Sequence, residues 1–184
     1  MKTHVLTAVA AIIAVSGCNR SEPSADVNEI TTAEDVTNTA TMNATETAAI
    51  DSAFVTDAIK GDNGEVAIGQ LAQDQGQSQA VKDFGKLLVS DHGAHKQELA
   101  SLAQTAGVPV TDEPTDEAKA NLEKLKALKG AEFDKQFKTM MVEDHTKDIA
   151  KYEKQANSED VQTAALAQKT LPTLRKHLDT ANAL

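Results

Sequence analysis

Phe84-Gly85-Lys86-Leu87-Leu88-Val89-Ser90-Asp91-His92 and Phe137-Lys138-Thr139-Met140-Met141-Val142-Glu143-Asp144-His145 are the two stretches that decide the fold. They share, register for register, the pattern Phe-x-x-(Leu/Met)-(Leu/Met)-Val-x-Asp-His. Phe, the second Leu/Met and His recur every four residues, the spacing of one face of an α-helix. Each stretch is therefore an apolar ladder ending in one histidine. A helix present twice in this form predicts a pseudo-two-fold arrangement with His92 and His145 at similar depth.

Helical periodicity extends on both sides of these ladders. The first helix carries Phe54, Ala58, Glu65, Ile68 and Ala72 on one stripe, with Gly61 and Gly64 weakening it midway. Ser78 is the expected N-cap of a second helix reaching about Ala106, with Val81, Phe84, Leu88, His92, His95, Leu99 and Leu102 in line. Gly107-Val108-Pro109 ends it. A short helix from about Thr115 to Leu128 precedes Gly130. The third long helix spans about 131–156, through Phe133, Phe137, Met141, His145, Ile149 and Tyr152. The fourth carries Val161, Ala164, Ala167, Leu171, Leu174, Leu178 and Ala181, with a kink expected at Pro172. No run of alternating β-formers is present. The expected fold is all-α: a four-helix bundle of ferritin-like type over residues 50–184. Two antiparallel hairpins are joined by a longer crossover containing the short extra helix.

The chain start reads differently. Lys2, the apolar run Val5–Val15 and the small residues Ser16-Gly17 before Cys18 have the organisation of a secretory signal over residues 1–17. The run is too short to span a bilayer. Val15-Ser16-Gly17-Cys18 also fits the bacterial lipobox, which predicts a lipid on the Cys18 sulfur; the alternative is an ordinary signal with a chance cysteine. At about 0.8 kcal/mol per buried methylene, two or three acyl chains anchor a protein durably. The expected location is the cell envelope, facing the periplasm, and Asn19 after the cysteine leans towards the outer membrane. Residues 18–49 hold no aromatic residue and only Arg20 as a base, so they are expected to form a disordered tether. A coil of that length reaches roughly 30 Å.

The formal charge of −10 argues against nucleic acid as a partner. An envelope protein partner is compatible with it. A single cysteine leaves no internal disulfide. No Gly-rich phosphate loop, Gly-x-Ser-x-Gly elbow or nucleophilic cysteine is present, so the chain holds no complete catalytic signature. The Lys/Glu run from Glu117 to Lys129 reads as a solvated face, and Met140 and Met141 as core filling.

The chemistry-bearing residues fall one to a helix. Glu65 lies seven residues from both Ala58 and Ala72, and His177 follows Leu174 by three. Glu65, His92, His145 and His177 are thus candidate metal ligands; three imidazoles and a carboxylate suit zinc, iron or copper. Asp91 and Asp144 sit about 100° around their helices from the adjacent histidines. Neither Asp-His pair can easily share one ion, so each Asp is better placed to accept the second N–H of a histidine on a neighbouring helix. His95 is expected at the rim. The alternative is a polar layer of His, Asp and Glu that fixes bundle register and holds no metal, in a structural or protein-interaction module.

These residues bring a family into view. From Phe54 to Leu184 the chain resembles bacterial envelope proteins grouped as a domain of unknown function and often called "predicted outer membrane protein". The resemblance rests on Gly64-Glu65…Leu71-Ala72, Val89-Ser90-Asp91-His92…Glu98-Leu99, Phe133-Asp134…Met141-Val142-Glu143-Asp144-His145 and Leu171-Pro172…His177-Leu178. It implies a ferritin-like bundle in the envelope and supplies no activity. A third reading, a ferritin-type oxidase, meets an obstacle: di-iron ferritins use Glu-x-x-His on two helices, and here Val89 and Val142 stand where those glutamates would be.

Overall fold

The computed structural model describes residues 50–184; the expected signal segment, Cys18 and the 18–49 tether lie outside them. Among the described residues there are five helices and no strand: α1 (Ser52–Gln75), α2 (Gln79–Thr105), α3 (Asp116–Lys126), α4 (Gly130–Ala156) and α5 (Val161–Ala183). None is long and apolar enough to cross a membrane.

Four of the five helix starts are set by side chains that satisfy otherwise orphaned N–H groups. Asp51 accepts from the Phe54 amide, Ser78 from Val81, Thr115 from Ala118, and Asp160 from Gln162 and Thr163. Short links make α1–α2 and α4–α5 antiparallel hairpins, and the passage bearing α3 joins them as a four-helix bundle with one crossover. Asp134 of α4 accepts from the Gln77 and Ser78 amides, each at 2.8 Å, tying the first hairpin turn to the second hairpin. Asn63 pins the crossover by donating to the carbonyls of Thr111 and Glu113.

Gly69 and Gly85 mark where α1 and α2 approach most closely. A Cβ on Gly69 would stand 2.7 Å from the Gly85 carbonyl oxygen, and one on Gly85 would stand 2.6 Å from that of Gly69. Mid-helix glycine costs about 1 kcal/mol against alanine, and at this crossing it lets the first hairpin close. The expected weakening at Gly61 and Gly64 does not interrupt α1.

The last helix departs from its expected stripe at its start. Val161 is 71% exposed, because as the first residue after the Asp160 cap it precedes the inward face. Thr163 takes the buried place and accepts a 2.6 Å hydrogen bond from Gln155. α5 runs unbroken through Pro172, which lies on its exposed flank beside water that can replace the lost helix bond.

The core consists of two apolar clusters. One gathers Ile68, Ala72, Phe84, Leu88, Phe133, Phe137, Met141 and Ala181. The other gathers Phe54, Ala58, Ile59, Leu99, Tyr152, Ala167, Leu171 and Leu174. Along every long helix the sequence passes from one cluster to the other through buried polar residues: Asp62 and Glu65 on α1, His92 on α2, His145 on α4, His177 on α5. Four helices thus interrupt their apolar stripes at one level.

Candidate metal centre

The three histidines meet at that level. Ring centroids stand 5.7 Å apart for His92 and His145, 5.3 Å for His92 and His177, and 5.2 Å for His145 and His177. One ring nitrogen from each lies within 4.8 Å of those of the other two, so the trio could hold a metal ion. Phe84 forms the floor, 6.3 Å from the His145 ring and 5.9 Å from that of His177.

Outer hydrogen bonds decide which nitrogens face inward. His145 Nδ1 is 2.9 Å from the Met141 carbonyl, an acceptor only, so this nitrogen carries the proton and donates. His177 Nε2 is 2.9 Å from Asp91 Oδ2, and an ionised Asp91 makes that nitrogen the donor. His145 Nε2 and His177 Nδ1 are then left facing each other at 3.3 Å, both as bare lone pairs while the two rings are neutral. Two nitrogens bound to one tetrahedral zinc at about 2.0–2.1 Å stand about 3.3 Å apart. His92 donates from Nδ1 to Asp62 Oδ1 at 2.9 Å, and its buried Nε2 has no partner among the described residues. The pattern, an imidazole whose outer N–H is held by an oxygen acceptor, is the one that orients and strengthens metal-ligating histidines. A cavity of about 30 Å³ adjoins His92, His95 and His177, with room for a water or a small ion.

Electrostatics separate the three rings. Burial pushes His145 down to about 3, helped by the nearby His92 and His177 charges. Burial also lowers His177 and outweighs its Asp91 hydrogen bond. His92 is the exception: burial opposes its proton, but Asp62 and Glu65 outweigh that and hold it at about 9. Asp62, buried yet held by His92 and His95, stays below the usual carboxylate range.

Of the four expected ligands the structure brings three together; Glu65 is not one of the gathered group. It is 6% exposed, its Oε2 has no partner among the described residues, and burial among Asp144, Asp148 and Asp62 pushes it up to about 8. Asp91 accepts from a histidine of another helix. Asp144 hydrogen-bonds no histidine among the described residues: its rotation around α4 carries it towards α1 and α3, where burial raises it to about 6. Asp62, absent from the expected set, does that work instead and also accepts from His95 at 2.8 Å. Its signal was its place four residues after Ala58 and three before Glu65, on the inward stripe of α1.

A solved structure described as "Crystal structure of DUF305 fragment from Deinococcus radiodurans" is similar to this chain, with a TM-score of 0.64. It is 14% identical and covers 72% of this chain and 92% of its own, a likeness of helical fold alone. No protein of curated function matches the chain. The residues quoted above as carrying a family resemblance fall inside one continuous match over residues 36–184, and by that match the chain belongs to the family described as "Domain of unknown function (DUF4142)".

Proposed function

We propose that this is a cell-envelope protein, anchored by lipid on Cys18 and leaning to the outer membrane, whose bundle binds one divalent transition metal through His92, His145 and His177 to sequester or sense it. The observation that carries the reading is the pair His145 Nε2 and His177 Nδ1, set 3.3 Å apart by their outer acceptors. Two imidazole lone pairs in contact repel, and a cation between them removes the repulsion. Three nitrogen donors in a buried polar layer suit zinc, iron or copper. The full chain, purified without a histidine tag, should carry near-stoichiometric metal by ICP mass spectrometry and lose it in the His92→Ala/His145→Ala double variant. Metal below a tenth of an equivalent, unchanged by the double variant, would refute the reading. The anchor is tested separately: Cys18→Ser should move the protein from the membrane to the soluble fraction.

One observation favours a second reading. His92 near 9 carries its proton at neutral pH and pairs with Asp62, so this side of the layer balances its charge without an ion. A non-metal module of the envelope would then use the layer to fix helix register and work through its surface. In that case added zinc leaves the melting temperature unchanged.

A further inference from the structure

We propose that the acidic pocket between α1, α3 and α4 is an outer site for a hydrated divalent cation, with Glu65 as its innermost ligand. The pocket has a volume of about 280 Å³ and is walled by Glu65, Glu117, Asp144, Lys147, Asp148 and Lys151, among others. Lys147 is taken up by Glu117, and Lys151 by Asp57 and Asp148. Neither Glu65 nor Asp144 makes an ion pair within 4 Å among the described residues. Glu65 lines the pocket, and its buried Oε2 has no hydrogen-bond partner among the described residues. Ionising a carboxyl in that state costs several kcal/mol, and a cation in the adjoining space would supply the partner that offsets it.

The ligand's class follows from size and donors. The pocket is far larger than one water, with room for an ion that keeps most of its shell. Oxygen donors with retained water suit magnesium or manganese better than the imidazole trio does. The site owes its shape to Gly64, whose missing side chain lets Ala118 of α3 sit against α1 and roof the pocket. Gly61, Asp148 and Lys151 also border the cavity beside the histidines. The Lys151 ammonium, 2.6 Å from Asp57 Oδ2 and 3.4 Å from Asp148 Oδ1, stands in that shared wall and separates the two spaces with a fixed positive charge. The outer site's binding is independent of the histidines.

Manganese alone is the probe, titrated into the full chain and read by loss of the free aquo-ion signal in electron paramagnetic resonance. Glu65→Gln/Asp144→Asn should weaken binding at least tenfold, while His145→Ala/His177→Ala should leave it within twofold. Binding unchanged by the carboxylate variant, lost with the histidines, or undetectable at about 1 mM manganese overturns the outer site. Paramagnetic broadening in the unaltered chain needs no variant: amides of Ala118 and Asn121 should broaden before those of Leu174 and Leu178, and the reverse order overturns it. Failure here leaves the elemental analysis of the histidine centre untouched, so the two readings can fall separately.

Discussion

His92 and His145 end the same nine-residue ladder and lie 5.7 Å apart, ring to ring, yet they sit in opposite electrostatic surroundings. Around His92, α1 contributes Asp62 and Glu65, and the imidazole keeps a proton up to about 9. Around His145, the partner helix contributes another histidine, and the outer acceptor among the described residues is the Met141 carbonyl; burial keeps the ring neutral down to about 3. A repeated sequence fixes backbone, depth and ring placement. The neighbouring helix, which does not share the repeat, fixes charge. The layer therefore presents one charged and two neutral imidazoles in one shell, and a metal must displace a proton from the first only.

The same substitution should break this symmetry of sequence most visibly. His92→Leu leaves Asp62 with His95 alone and Glu65 without its favourable charge, and the fold should lose roughly 2–4 kcal/mol by chemical denaturation. His145→Leu removes a neutral, fully buried ring and fills the space with apolar atoms, so its apo stability should stay within about 1 kcal/mol or rise. Both should abolish stoichiometric zinc. Equal destabilisation of the two variants would contradict the electrostatic difference. Next in size is Asp62→Asn, which keeps every ligand but weakens the outer hold on His92. Zinc affinity should fall about 10–100-fold by competition titration.

The fold was legible because apolar residues at helical spacing, interrupted by named caps and by Gly107 and Gly130, specify elements locally. Val161 misled because a stripe read from sequence does not show where a helix first meets its neighbour. Of the site, the histidines were legible as polar residues breaking apolar ladders. Glu65 was correctly read as inward, yet inward at one level does not mean inward to one point: it opens to the α1–α3–α4 pocket. The i−1 offset is the same for Asp91 and Asp144, but on α2 and on α4 that direction faces different neighbours. Asp62 escaped notice because a lone Asp between Gly61 and Asn63 resembles a helix break, and only the approach of α2 makes it an acceptor.

pH should separate the two halves of the layer without mutation. His145 and His177 are depressed, so the stability they contribute is present above the ordinary histidine range and lost as pH falls from about 6.5 towards 3. His92 and Glu65 are raised, so theirs is present at low pH. It is lost as pH rises, through about 9 for His92 and about 8 for Glu65. The apo chain's melting temperature, followed in chelator from pH 4 to 10, should fall on both sides of a maximum near neutrality. His145→Leu should flatten the acid limb and Glu65→Gln the alkaline one. A monotonic profile would mean that one half of the layer dominates.

Asp91→Asn carries the smallest expected change and sharpens the comparison at His177 of the second hairpin. Asp91 holds His177 as Asp62 holds His92, but its side chain is 30% exposed where that of Asp62 is 4% exposed. Water can replace part of the lost hydrogen bond, and the amide oxygen of asparagine can still accept from His177 Nε2. The zinc affinity of Asp91→Asn should therefore fall only a few-fold, against the larger loss for Asp62→Asn measured in the same competition titration. If the two losses match, the burial of the outer acceptor is not what sets its hold on the ring. The charge of the carboxylate, common to both, would then be the quantity that matters.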